Sequence, residues 1–528
     1  FAKCQLARSN YLFYLSGRQM WIQISRLMIQ KHLRPERGLN SKSLLILLIS
    51  MTLQAGNSSM LFSYESPPTD NVAWLKANGE RLADGQVPRK LNVIMVVIDD
   101  LRTELGCYGV EQVHSPNIDR FATKGMRFNH AYAQYPVCNP SRSSFLSGLR
   151  PEEVGILSNT IPFRRIQPDL IALPQLFREN GYYTAGIGKI FHLSVDKGAK
   201  PTLFEDPLSW DYFFDALSGT TRLGRQGAGR NLTNGKIPWA TWKAAEGDDI
   251  DQPDGINNQE LLKVVEAQHD RPFFIGYGIH KPHDPFIAPK KYFEYYPEGS
   301  TQLANEPADR SKRVKMAIPN DHQFADFTDT ERREFKRAYQ AGVSFADAQV
   351  GKLMDLLDDL ELWVSTIVIV MGDHGYHLGE HDWWNKVTVF EDGARAPMMI
   401  WVPDALGMGQ PTDSLVEFID LYPTLTDYAG LKAPHHLSGM SLRPILDDPL
   451  SSVKEAAYTQ VTRGPNAMGR SVRTPRWRYT EWAHGKHGVE LYDHLKDPGE
   501  YYNLGDNPEY TNVVSQMTEL LGQGFLTK

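Results

Sequence analysis

Cysteine is nearly absent: the 528 residues hold only Cys4, Cys107 and Cys138. Three thiols build neither a disulfide framework nor a cysteine-rich zinc site. They also leave the redox compartment open. A dominant charge is lacking too. The 56 basic and 63 acidic residues leave a net charge of −7, so nothing marks the chain as a nucleic-acid binder. An anionic substrate therefore needs a local positive pocket. There is no internal repeat, no low-complexity tract and no apolar run of ordinary membrane length. The one short apolar run, residues 43–53, follows Lys31, Arg34, Arg37 and Lys42 and precedes Ala55-Gly56. Residues 1–56 thus read as a secretory signal peptide, with a possible upstream artefact before a start at Met20 or Met28. An uncleaved anchor is the competing reading. A secreted or periplasmic protein is expected, or a lysosomal one in a eukaryote, with no stable span in its mature form.

What is present is globular: 41% hydrophobic and 23% charged residues. Residues 57–90 are polar and mixed, a linker or surface wrap. Residues 91–98 are continuously apolar and β-branched, the mark of a strand buried on both faces. Residues 183–187, 273–279, 366–371 and 397–402 predict further strands. Residues 115–125, 170–180, 332–360 and 415–429 predict helices, the first with Ser115 as cap and Pro116 at its first position. Strands alternating with helices define an α/β fold with a large, mostly parallel central sheet. After about residue 440 the pattern becomes short strands plus a helix at 508–525, a small antiparallel α+β unit. The expected organisation is a catalytic domain over 91–440 and a C-terminal subdomain over 441–528. Residues 196–255, rich in Gly, Asp and Trp, form an insertion of the kind that shapes binding sites.

The chemistry-bearing residues follow strands. Asp99-Asp100 ends the first, Asp373-His374 the 366–371 strand, Lys189 and His192 the 183–187 strand, and His280-Lys281-Pro282-His283 the 273–279 strand. Ligands of open α/β sheets bind beyond the carboxyl ends of strands. Adjacent carboxylates there need a cation or strong donors, and an oxygen-rich set favours Ca²⁺ or Mg²⁺ over zinc. Taken singly, Asp99 and Asp100 also read as loop caps and His374 as a structural hydrogen-bonder. Pro140 suits the first turn of a helix, which puts Cys138 at a helix N-terminus, where anions are attracted. Arg142, four residues on, can fork toward an oxygen anion. A thiolate of lowered pKa is the rival role for Cys138. Lys386 is a further candidate cation for an anionic ester. Tyr376, Trp383 and Trp384 offer rings that stack on a sugar or pack in the core.

The run Cys138-Asn139-Pro140-Ser141-Arg142, read as C-x-P-S-R, resembles the signature of the type I sulfatases. Val97 to Arg102, Ser115 to Asp119, His280 to His283 and Gly372 to Lys386 follow in family order. From about residue 90 to the end the chain looks like the iduronate-2-sulfatase branch, and His374 fits that branch. The resemblance implies an alkaline-phosphatase-like fold. It implies Ca²⁺ held by Asp99, Asp100, Asp373 and His374, with residue 138 on the same ion as formylglycine, made by oxidation of Cys138. A formylglycine-generating or anaerobic maturation enzyme is then a required partner. Lys189, His280 and Lys386 would neutralise the sulfuryl oxygens, Arg142 would face the nucleophile, and His280 or Lys386 would protonate the departing alcohol. His192 would take the proton of the second hydroxyl. Tyr376, His283 and Trp384 are the expected substrate contacts. A sulfated carbohydrate, by branch a uronate 2-O-sulfate, is the expected substrate, in polysaccharide degradation. Tyr376 stands where a branch member has Trp, which leaves the sugar open. Two rival functions stand beside this one: a phosphatase or phosphodiesterase of the same superfold, and a non-catalytic sulfated-glycan-binding protein.

Overall fold

Seven consecutive residues of strand β1 (Asn92–Ile98) are buried, as their unbroken apolar run demands. The computed structural model describes residues 90–194, 202–307, 313–319, 323–464 and 467–525. The signal reading of 1–56 and nearly all of the 57–90 linker lie outside them. Around β1 an eight-stranded sheet forms from β2 (Met126–Tyr132), β3 (Tyr183–Gly188), β4 (Tyr212–Phe214), β5 (Phe273–Ile279), β6 (Thr366–Gly372), β7 (Met398–Trp401) and β8 (Pro411–Glu417). Their order is β8-β2-β7-β6-β1-β5-β3-β4. All pairings are parallel except those of β7, which runs against both neighbours.

Register decides where the chemistry goes. Ile98 pairs with Gly372 on one side and Ile279 on the other. Gly188 pairs with Gly278, and Ile187 with Phe214. Asp99, Asp373, His280, Lys189 and Asp215 therefore leave the sheet at one level, at the carboxyl ends of five parallel strands. Gly278 is required here, because a Cβ on it would lie 1.9 Å from the carbonyl oxygen of Lys189.

Alternate residues of β1 face two helical layers. Ile94, Val96 and Ile98 pack with α1 (Pro116–Lys124), α4 (Pro253–Gln268) and α5 (Asp329–Asp359). Val93, Met95 and Val97 pack with α2 (Cys138–Ser147), α3 (Leu173–Glu179) and α6 (Leu421–Tyr428). Helix α5 begins three residues before the sequence expectation, because Thr328 and Glu331 form a capping box. Helix α3 starts three residues later than expected, just before Pro174. The expected helix over 415–429 is also corrected: Leu415 to Glu417 belong to edge strand β8, and a short 3₁₀ turn precedes α6. Pairing with β2 overrides the helical reading of that segment.

The C-terminal residues form an antiparallel meander of β9 (Ala457–Arg463), β10 (Ala467–Arg473), β11 (Trp477–Trp482) and β12 (Val489–Asp493). Helix α7 (Thr511–Gly524) covers it through Met517 and Leu521 against Val472, Tyr479 and Leu491. The meander and the main sheet lie in one compact unit, Gln86–Lys528. Buried ion pairs join them. Arg478 of β11 donates to Glu391 at 2.6 Å and Glu500 at 2.5 Å. At the end of β8, Glu417 accepts both Arg150 nitrogens (2.8 and 3.1 Å) and Lys454 (2.8 Å), while the Tyr458 N–H of β9 donates to it at 3.0 Å.

Burial pushes the Glu417 carboxyl up, but Arg150 and Lys454 outweigh it and hold it at about 2. This depressed value contributes stability that is complete above the ordinary carboxylate value and lost as pH falls through about 2. Glu417→Gln is expected to lower stability at neutral pH by about 3–5 kcal/mol, because Arg150 loses its buried carboxylate and Lys454 keeps only Asp420. Melting temperature of the variant should also fall less steeply than wild type between about pH 4.5 and 2. Parallel pH curves for the two proteins would contradict this assignment.

Candidate active site

The site grows from the strand ends inward. Asp99 and Asp100 follow β1 and are fully buried. Asp100 has φ +61°, a left-handed backbone that costs energy in a residue with a side chain. Two bonds impose it. The Asp100 N–H donates to Asp373 Oδ1 at 3.0 Å, and the Tyr339 hydroxyl of α5 donates to the Asp100 carbonyl at 2.7 Å. The turn aims both carboxylates at the mouth of the sheet.

Cys138 is the first residue of α2, behind Val137. All ten residues of this helix are buried, so its N-terminal dipole acts in a dry setting. The Cys138 Sγ lies 3.5 Å from His374 Nε2, 3.1 Å from Lys386 Nζ and 4.0 Å from Asp100 Oδ1. Burial pushes the Cys138 thiol up, but Lys189, Lys386 and hydrogen bonds from His192 and His283 outweigh it. The thiol is held well below its ordinary value.

Arg142, one turn further along α2, is the hub. Its Nε donates to Asp373 Oδ2 at 2.9 Å and its Nη2 to Asp99 Oδ1 at 3.1 Å. Its Nη1 donates to the carbonyls of Lys189 (2.5 Å) and Ile190 (3.0 Å). Ser141 Oγ donates to the Asp373 carbonyl at 2.5 Å. Lys189 Nζ donates to Asp99 Oδ2 at 2.5 Å, and Lys386 Nζ to Asp100 Oδ1. Burial and Cys138 push the Asp99 carboxyl up, yet Lys189, His283 and Arg142 pull it well below its usual value. Burial wins at Asp373, which rises to about 6 against the pull of His374 and Arg142.

Ligand atoms of Asp99, Asp100, Cys138 and His283 lie within 4.8 Å of one another, as do those of Cys138, Asp373 and His374. Two observations fit a hard divalent cation. Asp100 Oδ2 is buried without a hydrogen-bond donor, and three of the six candidate ligands are carboxylates. His374 Nδ1 meets the Gly375 carbonyl at 2.9 Å. A carbonyl only accepts, so Nδ1 carries the proton and the Nε2 lone pair faces the cluster, as a ligand requires. Two other His–carboxylate groups among the described residues are ion-pair networks instead. Arg102 bonds Glu380 at 2.9 Å beside His377, and Arg478 takes Glu391 and Glu500 beside His494.

The four-residue run after β5 divides in an unexpected way. His283 Nε2 reaches Asp100 Oδ2 at 3.8 Å and Asp99 Oδ2 at 3.9 Å. Burial pushes the ring down, but Asp100 and its neighbours raise it to about 9. His280 instead bonds Asp215 through Nε2 at 3.0 Å. His192 is nearly buried and hydrogen-bonded to Cys138, and burial lowers its pKa. The expectation of sugar stacking by Tyr376 and Trp384 is corrected. Tyr376 is fully buried, stacked on Tyr339 at 5.6 Å, with its hydroxyl on the Trp384 carbonyl at 3.3 Å. Trp384 packs against Phe335 at 5.1 Å. Tyr376 backs Tyr339, whose hydroxyl holds the Asp100 turn, and Trp384 lies in the aromatic packing with Phe335, since a large apolar surface gains more from the core than from water. Sequence reasoning missed Ser141, Tyr339 and Asp215. Of these, Asp215 carried a signal, as an acid directly after a short aromatic strand.

The sulfatase family model matches residues 91–431, and the model described as N-sulphoglucosamine sulphohydrolase, C-terminal, matches residues 379–524. Human iduronate 2-sulfatase is 30% identical over 504 residues, covering 79% of this chain and 90% of its own. A delta 4,5-hexuronate-2-O-sulfatase of Bacteroides thetaiotaomicron is 28% identical, covering 83% of this chain and 89% of its own. Among solved structures, the phosphonate monoester hydrolase of Agrobacterium radiobacter superposes with a TM-score of 0.70 at 20% identity, over 82% of this chain and 95% of its own. That likeness concerns the fold alone. The chain belongs to the sulfatase family, and its activity is hydrolysis of sulfate esters. Within the family it falls in the iduronate-2-sulfatase-like branch. Among the described residues no helix is long and apolar enough to cross a membrane.

Because Arg142 bridges Asp99, Asp373 and the Lys189 segment through three nitrogens, a lysine cannot replace its fork. Arg142→Lys is expected to weaken the affinity of this cluster for an added divalent cation by roughly 10–100-fold. It should also lower the melting temperature in chelator. Calorimetric calcium titration and thermal melts check both, and wild-type values in both would refute the bridging role.

Proposed function

We propose that the chain removes the 2-O-sulfate of a uronate residue from a sulfated saccharide, using Ca²⁺ and a formylglycine made from Cys138. One observation carries this reading: Cys138 opens a buried helix and touches the carboxylate–histidine cluster, with three cations around it. Similarity to two 2-O-uronate sulfatases supports the sugar position.

Asp99, Asp100, Asp373 and His374 would hold the calcium ion, with residue 138 beside it. The ion supplies Lewis acidity that lowers the pKa of an attacking hydroxyl and draws charge from the sulfuryl oxygens. A formylglycine at residue 138 would supply, as its hydrate, one nucleophilic hydroxyl and a second hydroxyl whose proton a nearby base could take. The chain's own residues arrange this chemistry. Lys189, Lys386 and the α2 N-terminus form the positive lining that an ester with a full negative charge requires. Arg142 holds the Asp99 and Asp373 carboxylates in place through its Nη2 and Nε. His192, neutral because burial disfavours its charged form, is fit to take the proton of the second hydroxyl. His283, whose ring Asp100 raises to about 9, lies beside the cluster, where it suits contact with the anionic substrate. His280 delivers a proton to the departing alcohol. A maturation enzyme must act before or during folding, because Cys138 is fully buried once α2 packs.

Sulfate release from saccharides sulfated singly at the 2-O, 4-O or 6-O position tests the substrate. Turnover of the 2-O uronate ester alone is expected. Preference for a 6-O hexosamine ester would overturn the assignment. Mass spectrometry of the peptide holding residue 138 should find the thiol replaced by an aldehyde. Cys138→Ala is expected to abolish turnover while leaving the melting temperature within a few degrees, since a small buried side chain is lost.

A further inference from the structure

Asp215 has no role in the scheme above, yet it is built into the same rim. It follows β4, the edge strand, and the pairing of Ile187 with Phe214 brings it level with Gly188 and Lys189. Its side chain is 1% exposed. Oδ1 lies 3.0 Å from His280 Nε2 and accepts Asn257 Nδ2 at 3.2 Å. The Leu217 N–H also donates to the carboxylate. Oδ2 is buried without a hydrogen-bond partner. Asn257, on α4, holds the same segment a second time by accepting the Ala216 N–H at 2.8 Å.

The backbone of His280 is fixed as firmly as its ring. The N–H groups of His280 and Lys281 donate to the two Asp254 oxygens, at 2.8 and 2.9 Å. Asp254 lies in the first turn of α4. Backbone and Nε2 are thus both committed. Nδ1 is the ring nitrogen with no protein hydrogen bond among the described residues, and the side chain keeps 12% exposure. A carboxylate on one imidazole nitrogen selects the tautomer and stabilises the imidazolium that carries a proton on the other.

The neighbouring charges leave this task to Asp215. Lys281, beside His280, points its Nζ to the carbonyls of His283 and Pro285, both at 2.7 Å. Burial raises the Asp254 carboxyl, and burial raises Glu205, which lies near Asp215, to about 8. Burial acts the same way on Asp215, but His280 outweighs it and keeps the carboxyl below its ordinary value.

We propose that Asp215 is the positioning residue of the proton donor: by holding His280 Nε2 it makes Nδ1 the atom that protonates the departing alcohol. This rests on the reading of His280 as the donor. As the S–O bond breaks, its electron pair goes to the alcohol oxygen, which takes the Nδ1 proton. Neutral His280 keeps its Nε2–H on Asp215 and regains a proton from solvent before the next turnover.

The test exploits the leaving group, since a poor one needs the proton and a good one does not. Matured, calcium-loaded wild type, His280→Ala, Asp215→Asn and Asn257→Ala are compared on a saccharide sulfate and on 4-nitrophenyl sulfate. Asp215→Asn and His280→Ala should each lose about 100-fold or more in kcat on the saccharide ester and only a few-fold on the nitrophenyl ester. Their KM values should change little. Asn257→Ala, which frees Asp215 without touching His280, should show a smaller loss with the same ester dependence. It serves as the second reading if Asp215→Asn folds poorly. Equal losses on both esters, or wild-type rates on both, would overturn the role of Asp215 if His280→Ala still discriminates between the esters. A His280→Ala variant that does not discriminate defeats the donor reading itself, and the proposal with it.

Discussion

Three carboxylates buried within a few ångströms of one another must be balanced or they cannot stay ionised. Arg142 shares that work with Lys189 at Asp99, Lys386 at Asp100 and His374 at Asp373. It is fully buried, it bridges Asp99 and Asp373, and its remaining nitrogen ties down the carbonyls of residues 189 and 190. A guanidinium can do this because its planar fork offers donors in several directions at once. The same bonds fix helix α2 against β1, β3 and β6. Cys138, one turn earlier on α2, therefore inherits its position from an ion-pair network. Cys138 and the carboxylate cluster are placed by one side chain.

The electrostatics follow from that placement. Burial alone would protonate the thiol and the acids. Instead Lys189, Lys386 and Arg142 pull Asp99 and Cys138 well below their ordinary values, while Asp373 yields to burial and rises to about 6. A centre that keeps anionic ligands beside cationic side chains is prepared for a divalent ion and a sulfate together. Below it, Tyr339, Tyr376 and Trp384 form a dry aromatic floor, and the Tyr339 hydroxyl holds the strained Asp100 turn. Rigid support under a charged rim limits how far the ligands relax when charge moves.

Much of this was legible because strand-end acids are local facts. The apolar run 92–98 announces a buried strand, so Asp99-Asp100 must sit at its carboxyl end, and the same logic places Asp373-His374. The C-x-P-S-R run needs only one helix start to set its geometry. Side-chain choice among neighbours was not legible. His280 and His283 are three residues apart in one turn, and sequence offers no way to tell which ring meets Asp100 and which meets Asp215. Tyr376 and Trp384 were equally ambiguous, since an aromatic ring suits a sugar face and a core alike.

The sequence by itself determined the α/β class, the strands that carry acids and histidines, and the one cysteine poised at a helix N-terminus, because hydrophobic periodicity and cap residues act over a few neighbours. Only the tertiary structure decided which polar groups pair. Register across β6-β1-β5-β3-β4 brings residues up to 274 positions apart to one level. Burial then forces each of them to find a partner of opposite charge. Pairing of that kind depends on distances set by the whole sheet, and no local pattern encodes it.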